Sequence, residues 1–273
     1  KALALPLMSL YWRNLDVSEF DWVLVSSHSF AHHIAVAAER AGVPVFVYAH
    51  TPARYLWAPE LDPRAQGIAG RILSPLLRWV DRRGTRQSAH YAGNSEYIGK
   101  RIKRAWDVDP VVIYPPVDID PSAPGPLETA DQYVLDQLPD RFVLGVSRFV
   151  PQKRLDLVIS FASLLTGIPL VICGRGPEEV NLREMADRLG VPSTFVISPS
   201  DALLREIFRR AEVFIFPPVE DFGILPVEAL SLGVPCVVNA DGGAAESVLV
   251  NGGGAAHTFR NLGPAEAESL FEQ

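Results

Sequence analysis

Residues 216–243 read FPPVEDFGILPVEALSLGVPCVVNADGG, and the fold follows from them. The apolar run Val213–Phe216 ends in Pro217 and Pro218 and reads as a buried strand. A short loop then carries Glu220, Asp221, Phe222 and Gly223. A helix is predicted to start near Ile224, with Pro226 accommodated early, and to stop at Gly233 ahead of Pro235. A second apolar run, Cys236–Asn239, ends in Gly242 and Gly243. Strand, loop, helix and strand together are the repeating unit of a parallel α/β sheet.

Such a unit has chemical consequences. Ligands of open parallel sheets sit beyond the carboxyl ends of the strands. A helix starting near Ile224 offers unpaired backbone N–H groups and a partial positive charge to an anion such as a phosphate. Gly223 has no side chain, so a ligand can approach its backbone. Glu220 lies on the loop and Glu228 on the helix, with seven residues between them. Two carboxylates facing a pyrophosphate would repel it. On either side of it they accept hydrogen bonds from hydroxyls, a sugar at one end and a ribose at the other. An isolated pair of glutamates at this spacing is usually a loop charge and a helix-face charge. Here it comes with Phe222-Gly223, the helix, the Gly-x-Pro stop and the Gly-Gly pair.

Upstream, Phe142–Val146 reads as a strand, followed by Arg148 and Lys153 on the loop before a helix starting near Arg154. Two cations at a strand end, beside a helix N-terminus, suit a pyrophosphate: arginine bonds two oxygens in a plane and lysine supplies a point charge. Leu170–Cys173 is a strand followed by Gly174-Arg175-Gly176-Pro177, a turn without the GxGxxG dinucleotide fingerprint. Phe195–Ile197 is another strand, Ser198 opens the next loop, and Leu203–Arg210 is a helix. Nearer the N-terminus, a helix and connecting loop over residues 1–20 precede a β-α-β unit. Its strands are Trp22–Ser26 and Val45–Ala49, with the helix Phe30–Ala41 between them. His50-Thr51-Pro52 follows at a strand's carboxyl end, where a histidine is well placed for a ligand. Tyr91–Asn94 and Val111–Tyr114 are short strands, and Asn94-Ser95 caps the helix between them. Residues 119–140, with Pro121, Pro124, Pro126 and Pro139 and no clear apolar period, read as a hinge between domains 1–117 and 118–273.

The 273 residues, 48% hydrophobic and 21% charged, suffice for one large or two ordinary domains. A net charge of −7 leaves no nucleic-acid footprint. Residues 67–90 read as a long amphipathic helix, broken near Ser74–Pro75 and Gly84, with Arg71, Arg78, Arg82, Arg83 and Arg86. Together with Lys100, Arg101, Lys103 and Arg104 it forms either a solvated face or a surface for anionic lipid. Cys173 and Cys236 lie in apolar runs and read as reduced core residues of a cytoplasmic protein. No apolar run reaches transmembrane length and no signal peptide is visible.

The E-x7-E spacing of Glu220 and Glu228 within VEDFGILPVEALSLGVPCVV resembles the retaining glycosyltransferases of family 4, which have the GT-B fold. SRFVPQK is similar to that family's S-R-x-x-x-x-K element, and Gly242-Gly243-Ala244-Ala245-Glu246 to its G-G-x-x-E element. HTPARYLW, from His50, is similar to a stretch of its bacterial mannosyltransferases. The resemblance implies two Rossmann-like domains with parallel sheets facing a cleft. The first strands would lie upstream of Lys1 and the last helices beyond Gln273. It assigns catalysis to His50, Arg148, Lys153 and Glu220. It assigns donor binding to Gly174, Gly176, Pro177, Ile197, Ser198, Phe222, Gly223, Ile224, Leu225 and Glu228. The implied reaction moves a hexose, mannose from GDP-mannose first, to a lipid-linked or glycan acceptor with retention of configuration. It uses no metal, and no cofactor apart from the nucleotide-sugar substrate. The implied location is cytoplasmic, with peripheral contact at the inner face of an anionic membrane. A nucleotide-sugar epimerase and a non-catalytic nucleotide-sugar-binding subunit remain as alternatives.

Overall fold

The computed structural model describes residues 5–62, 68–117, 126–259 and 262–272. The chain divides into two compact units, Lys1–Pro115 and Pro116–Gln273.

Unit 1 begins with α1 (Leu5–Arg13) and β1 (Val23–Ser27), then a 3-10 turn over Phe30–His33 that continues into α2 (Ile34–Ala41). There follow β2 (Val45–Ala49), α3 (Arg54–Trp57), α4 (Ile68–Arg82), β3 (His90–Gly93), α5 (Glu96–Trp106) and β4 (Val111–Val112). The strands are parallel in the order β1-β2-β3-β4. As predicted, Ser95 caps α5, its Oγ accepting the Ile98 N–H at 3.1 Å. Two expectations need correction. α4 runs unbroken through Pro75 and ends at Arg82 rather than continuing toward residue 90. A proline inside a helix costs about 3 kcal/mol. Here tertiary packing offsets it: Leu77 packs on Phe30 and Leu56, and Asp81 is fully buried. Second, the basic face is not uniformly solvated, since several of its side chains have partners within the unit. Arg78 and Arg82 donate to the carbonyls of Leu56 and Ala105, Arg86 pairs with Glu39, Lys103 with Asp109, and Arg101 is buried.

One face of this sheet is covered. Val25, Val45, Val47 and Ala49 are buried with Ile34, Ala38, Ile98 and Ile102 of α2 and α5. The alternate positions are open: Leu24 is 64% exposed and its register partner Phe46 41%.

Unit 2 contains α6 (Thr129–Asp136), β5 (Val143–Val146), α7 (Leu155–Ala162), β6 (Leu170–Gly174), α8 (Glu179–Arg188), β7 (Ser193–Ile197) and α9 (Asp201–Arg210). It continues with β8 (Val213–Phe216), α10 (Ile224–Ser231), β9 (Cys236–Asn239), α11 (Gly243–Val250), β10 (Gly254–His257) and α12 (Pro264–Glu272). α6 lies inside the segment predicted to be a hinge. Within it Leu135 is buried in the core and Val134 packs beside it, adjacent positions that show no helical period in the sequence. The described part of residues 119–140 begins at 126.

The six strands described in unit 2 are all parallel, in the order β10-β9-β8-β5-β6-β7. Their alternation builds two cores. Leu144, Val146, Val171, Cys173, Phe214, Phe216, Cys236 and Val238 join one cluster. Val143, Leu170, Ile172, Val213, Ile215 and Val237 join the other. Successive side chains of a strand point to opposite faces, so strands covered on both faces read as continuous apolar runs. Both cysteines are free and buried, and burial pushes each thiol up to about 12. Among the described residues no helix is long and apolar enough to cross a membrane.

Candidate functional site

The strand order places a topological switch point in unit 2. The chain goes from β5 outward through β6 and β7, then returns to the other side of β5 and continues outward through β8, β9 and β10. Ligands of such sheets bind where the two directions part, at the carboxyl ends of the strands. The register shows that parting. β5 and β8 pair only at Val143↔Val213 and Leu144↔Phe214, whereas β5 and β6 pair over four positions. The loops leaving β5 and β8 carry Arg148 and Lys153 on one side and Glu220 to Gly223 on the other. They meet: Lys153 Nζ donates to Glu220 Oε1 in a half-buried ion pair. Arg148 is exposed.

Each loop is held by backbone contacts, which explains several of the glycines. On the β5 side, Ser147 N–H donates to Cys173 O at 3.1 Å and Phe149 N–H to Arg175 O at 2.8 Å. Glu178 N–H donates to Phe149 O and Ser198 N–H to Gly174 O, both at 3.1 Å. A Cβ on Gly174 would stand 1.8 Å from Ser147 O, and one on Gly176 2.3 Å from Phe149 O. The Gly-x-Gly turn is thus a brace for the Arg148 loop. On the β8 side, Gly243 N–H donates to Glu220 O at 2.8 Å and Asn239 Nδ2 to Pro217 O at 2.7 Å. A Cβ on Gly243 would stand 2.2 Å from Asp221 O. Gly223, with φ of 86°, caps α10, and a Cβ there would meet the Ala244 side chain at 2.7 Å. Its glycine is required by α11 and by its backbone angle, reasons the sequence did not disclose.

The remaining predicted donor residues distribute unevenly. Ile224 is exposed at the start of α10, Phe222 is buried, and Leu225 packs on the core. Pro177 and Ile197 are exposed, and Ser198 adopts φ of 50° directly after β7. Glu228 is half-buried on α10; burial, then the charge of Asp201, push its carboxyl above the usual range. Asp201 opens α9 after the Ser200 cap, and sequence reasoning missed it because the helix was expected to start at Leu203. Its signal was there: serine followed by an acidic first helical residue, just past a strand end. Asn239 was likewise passed over as a strand terminus.

His50 belongs to unit 1. It is exposed at the carboxyl end of β2, its Nε2 2.8 Å from Ser26 Oγ and its N–H donating to Ser27 O. The segment after it is anchored by side chains. Arg101 Nη1 donates to Thr51 Oγ1 at 3.0 Å. The indole N–H groups of Trp57 and Trp106 both donate to Asp81 Oδ2, at 2.7 and 2.8 Å. Burial pushes the Asp81 carboxyl up, while His32, the two indoles and Arg82 pull it back. The ring nitrogens of His32 each face a backbone carbonyl at 3.1 Å, those of Ser29 and Asp81. His33 is fully buried beside it, and burial, then the charges of His32, Arg13 and Arg86, lower it to about 2. Ligating atoms of His32, His33 and Asp81 lie within 4.8 Å of one another. Arg13 Nε donates to His33 Nδ1 at 3.1 Å, however, so the neutral ring carries its proton on Nε2 and that nitrogen has no lone pair for a cation.

Fold and crevice together define an α/β chain of the GT-B class, and comparison with known proteins places it further. Residues 2–121 match the family described as Glycosyltransferase Family 4, and residues 130–259 match the glycosyl transferases of group 1. Two glycosyltransferase family models thus match the chain in succession. It is similar to D-inositol 3-phosphate glycosyltransferases of Mycobacterium bovis and Mycobacterium tuberculosis, 29% identical over 221 residues. That alignment covers 76% of this chain and 44% of each relative, so the chain spans less than half their length. Among solved structures, WaaG, a glycosyltransferase involved in lipopolysaccharide biosynthesis, shares the fold. It matches at a TM-score of 0.61 and 14% identity, over 92% of this chain and 90% of that one. Anabaena HepE in complex with UDP and glucose matches at 0.64 and 21% identity, over 98% and 70%.

Proposed function

We propose that the chain is the core of a glycosyltransferase that moves a hexose from a nucleoside diphosphate sugar to an acceptor hydroxyl. One observation carries this reading: Lys153, Glu220 and the start of α10 lie at the parting of β5 and β8, where the fold opens a ligand crevice. Arg148, Lys153 and the N-terminus of α10 meet the negative charge that develops on the leaving diphosphate. Glu220 takes the hydroxyls of the sugar and Glu228 those of the ribose. The glycosidic bond from the anomeric carbon to the phosphate oxygen breaks, and a bond to the acceptor oxygen forms on the same face. The acceptor's proton passes to the departing phosphate oxygen. The cations stand in for a divalent metal, so EDTA is expected to leave turnover intact. GDP-mannose is the first donor, on the likeness of HTPARYLW to mannosyltransferases. HepE, solved with UDP-glucose, makes uridine donors the second set. Acceptors are glycans or lipid-linked sugars, with inositol phosphates added by the names of the mycobacterial relatives. Contact with anionic lipid falls to the exposed Arg83, Lys100 and Arg104.

Calorimetry with GDP and UDP, followed by product analysis with each sugar donor, tests the proposal. Micromolar nucleotide binding with acceptor-dependent transfer is expected. His50→Ala should lower turnover and leave nucleotide affinity unchanged. An epimerised donor without acceptor identifies an epimerase, and binding without chemistry identifies a binding subunit.

A further inference from the structure

Within this crevice, the cation assigned to the diphosphate and the carboxylate assigned to the sugar occupy each other. Lys153 Nζ donates to Glu220 Oε1, with both side chains 22% exposed. The contact joins two otherwise separately braced loops. The β5 loop is latched to the Gly174–Gly176 turn, and the β8 loop to Gly243 and Asn239. We propose that Glu220 is a specificity-determining residue that discriminates the intact nucleotide sugar from the free nucleoside diphosphate, and that it does so through Lys153. This rests on the transferase reading above.

The physical reason is an exchange of partners. A diphosphate that takes Lys153 leaves Glu220 as a half-buried carboxylate without its cation, a costly arrangement. A nucleotide sugar offers Glu220 hydroxyl donors in return. A bare nucleoside diphosphate offers none, so after transfer Glu220 competes for Lys153 and favours release of the product. The residue that holds the sugar before the reaction thereby helps expel the nucleotide after it.

The test is a double-mutant cycle by calorimetry on the whole chain, with UDP and GDP as probes and UDP-glucose and GDP-mannose as intact donors. The proteins are wild type, Glu220→Gln, Lys153→Met and the double variant. Glu220→Gln keeps the side chain's size and is expected to bind the free diphosphate on the order of five-fold more tightly than wild type. It should also lose its preference for the intact donor over the diphosphate. The double variant should bind no more tightly than Lys153→Met, because Glu220 acts only through that lysine. An equal gain in the Lys153→Met background would show plain charge repulsion and overturn the proposal. Unchanged affinity in Glu220→Gln, with wild type binding normally, would also overturn it while leaving the transferase reading intact. Wild type binding neither nucleotide would remove both.

Discussion

The two units fix their strand-end loops in opposite ways. In unit 1, the segment after β2 is held by side chains: Trp57 and Trp106 on Asp81, Arg101 on Thr51, Arg78 on the Leu56 carbonyl. In unit 2, the loops after β5 and β8 are held mostly by main chain against main chain, with the Asn239 side chain added on Pro217 O, and glycines permit the approach. The sheets differ in parallel. Unit 2 buries both faces of its central strands, whereas unit 1 leaves Leu24 and Phe46 open. A loop braced by backbone keeps its side chains available, and Arg148, Lys153 and Glu220 sit on such loops. A loop braced by side chains uses them for support, and of the HTPARYLW segment His50 is what stands exposed. The contrast separates a unit whose polar side chains lie on several loops from one whose segment after β2 presents a single exposed group.

The sharpest break of this contrast is in unit 2. Gly174→Ala puts a methyl group 1.8 Å from Ser147 O at a φ of 144°. A loss of about 4 kcal/mol or more is expected. Hydrogen exchange should rise in the loops after β5 and β6 and nucleotide binding should fail, with unit 1 protection unchanged. The corresponding change in unit 1 is smaller. Asp81→Asn weakens a fully buried acceptor of two indole bonds and is expected to cost about 3 kcal/mol. Exchange should increase around α3, α4 and α5 while nucleotide affinity stays at the wild-type value. Normal stability in that variant would show that the side-chain network is not what holds the segment.

The smallest effect is a pH dependence confined to unit 1. His33, lowered from 6.5 to about 2, stays neutral in the fold over a range where an unfolded imidazole is charged. The unfolded chain then binds the extra proton. The contribution is fully present above 6.5 and is lost as pH falls toward 2, at no more than about 1.4 kcal/mol per pH unit. Asp81, pushed upward by burial, works in the other direction. The comparison is therefore between wild type and His33→Gln in denaturant titrations from pH 7 to pH 5. Wild type should lose stability more steeply, and parallel curves would refute the assignment.

The continuous apolar runs of β5, β6, β8 and β9 announced the parallel sheet, because a strand's environment is written in its own residues. The placement of Arg148, Lys153 and Glu220 on loops past strand ends, and of Glu228 on the following helix, was legible for the same reason. Less legible were features created by distant partners. The close contacts that require glycine at Gly174 and Gly223, with Ser147 and Ala244, were not visible in the sequence. α6 was hidden because Leu135 is its one fully buried side chain, with Val134 packed beside it, and α4 passes Pro75 because Leu77 and Asp81 are held by other elements. The Asp81 network joins residues 32, 57, 81 and 106, a grouping that no local pattern reveals.

The chemically silent thiols of Cys173 and Cys236 have a practical value. Sealed in the core and pushed up to about 12, they present almost no thiolate to maleimides or iodoacetamide at neutral pH. A cysteine placed at exposed Gln152 or Asp241 would be the chain's reactive one, so labels attached there would report on the loops after β5 and β9 without first removing the native thiols.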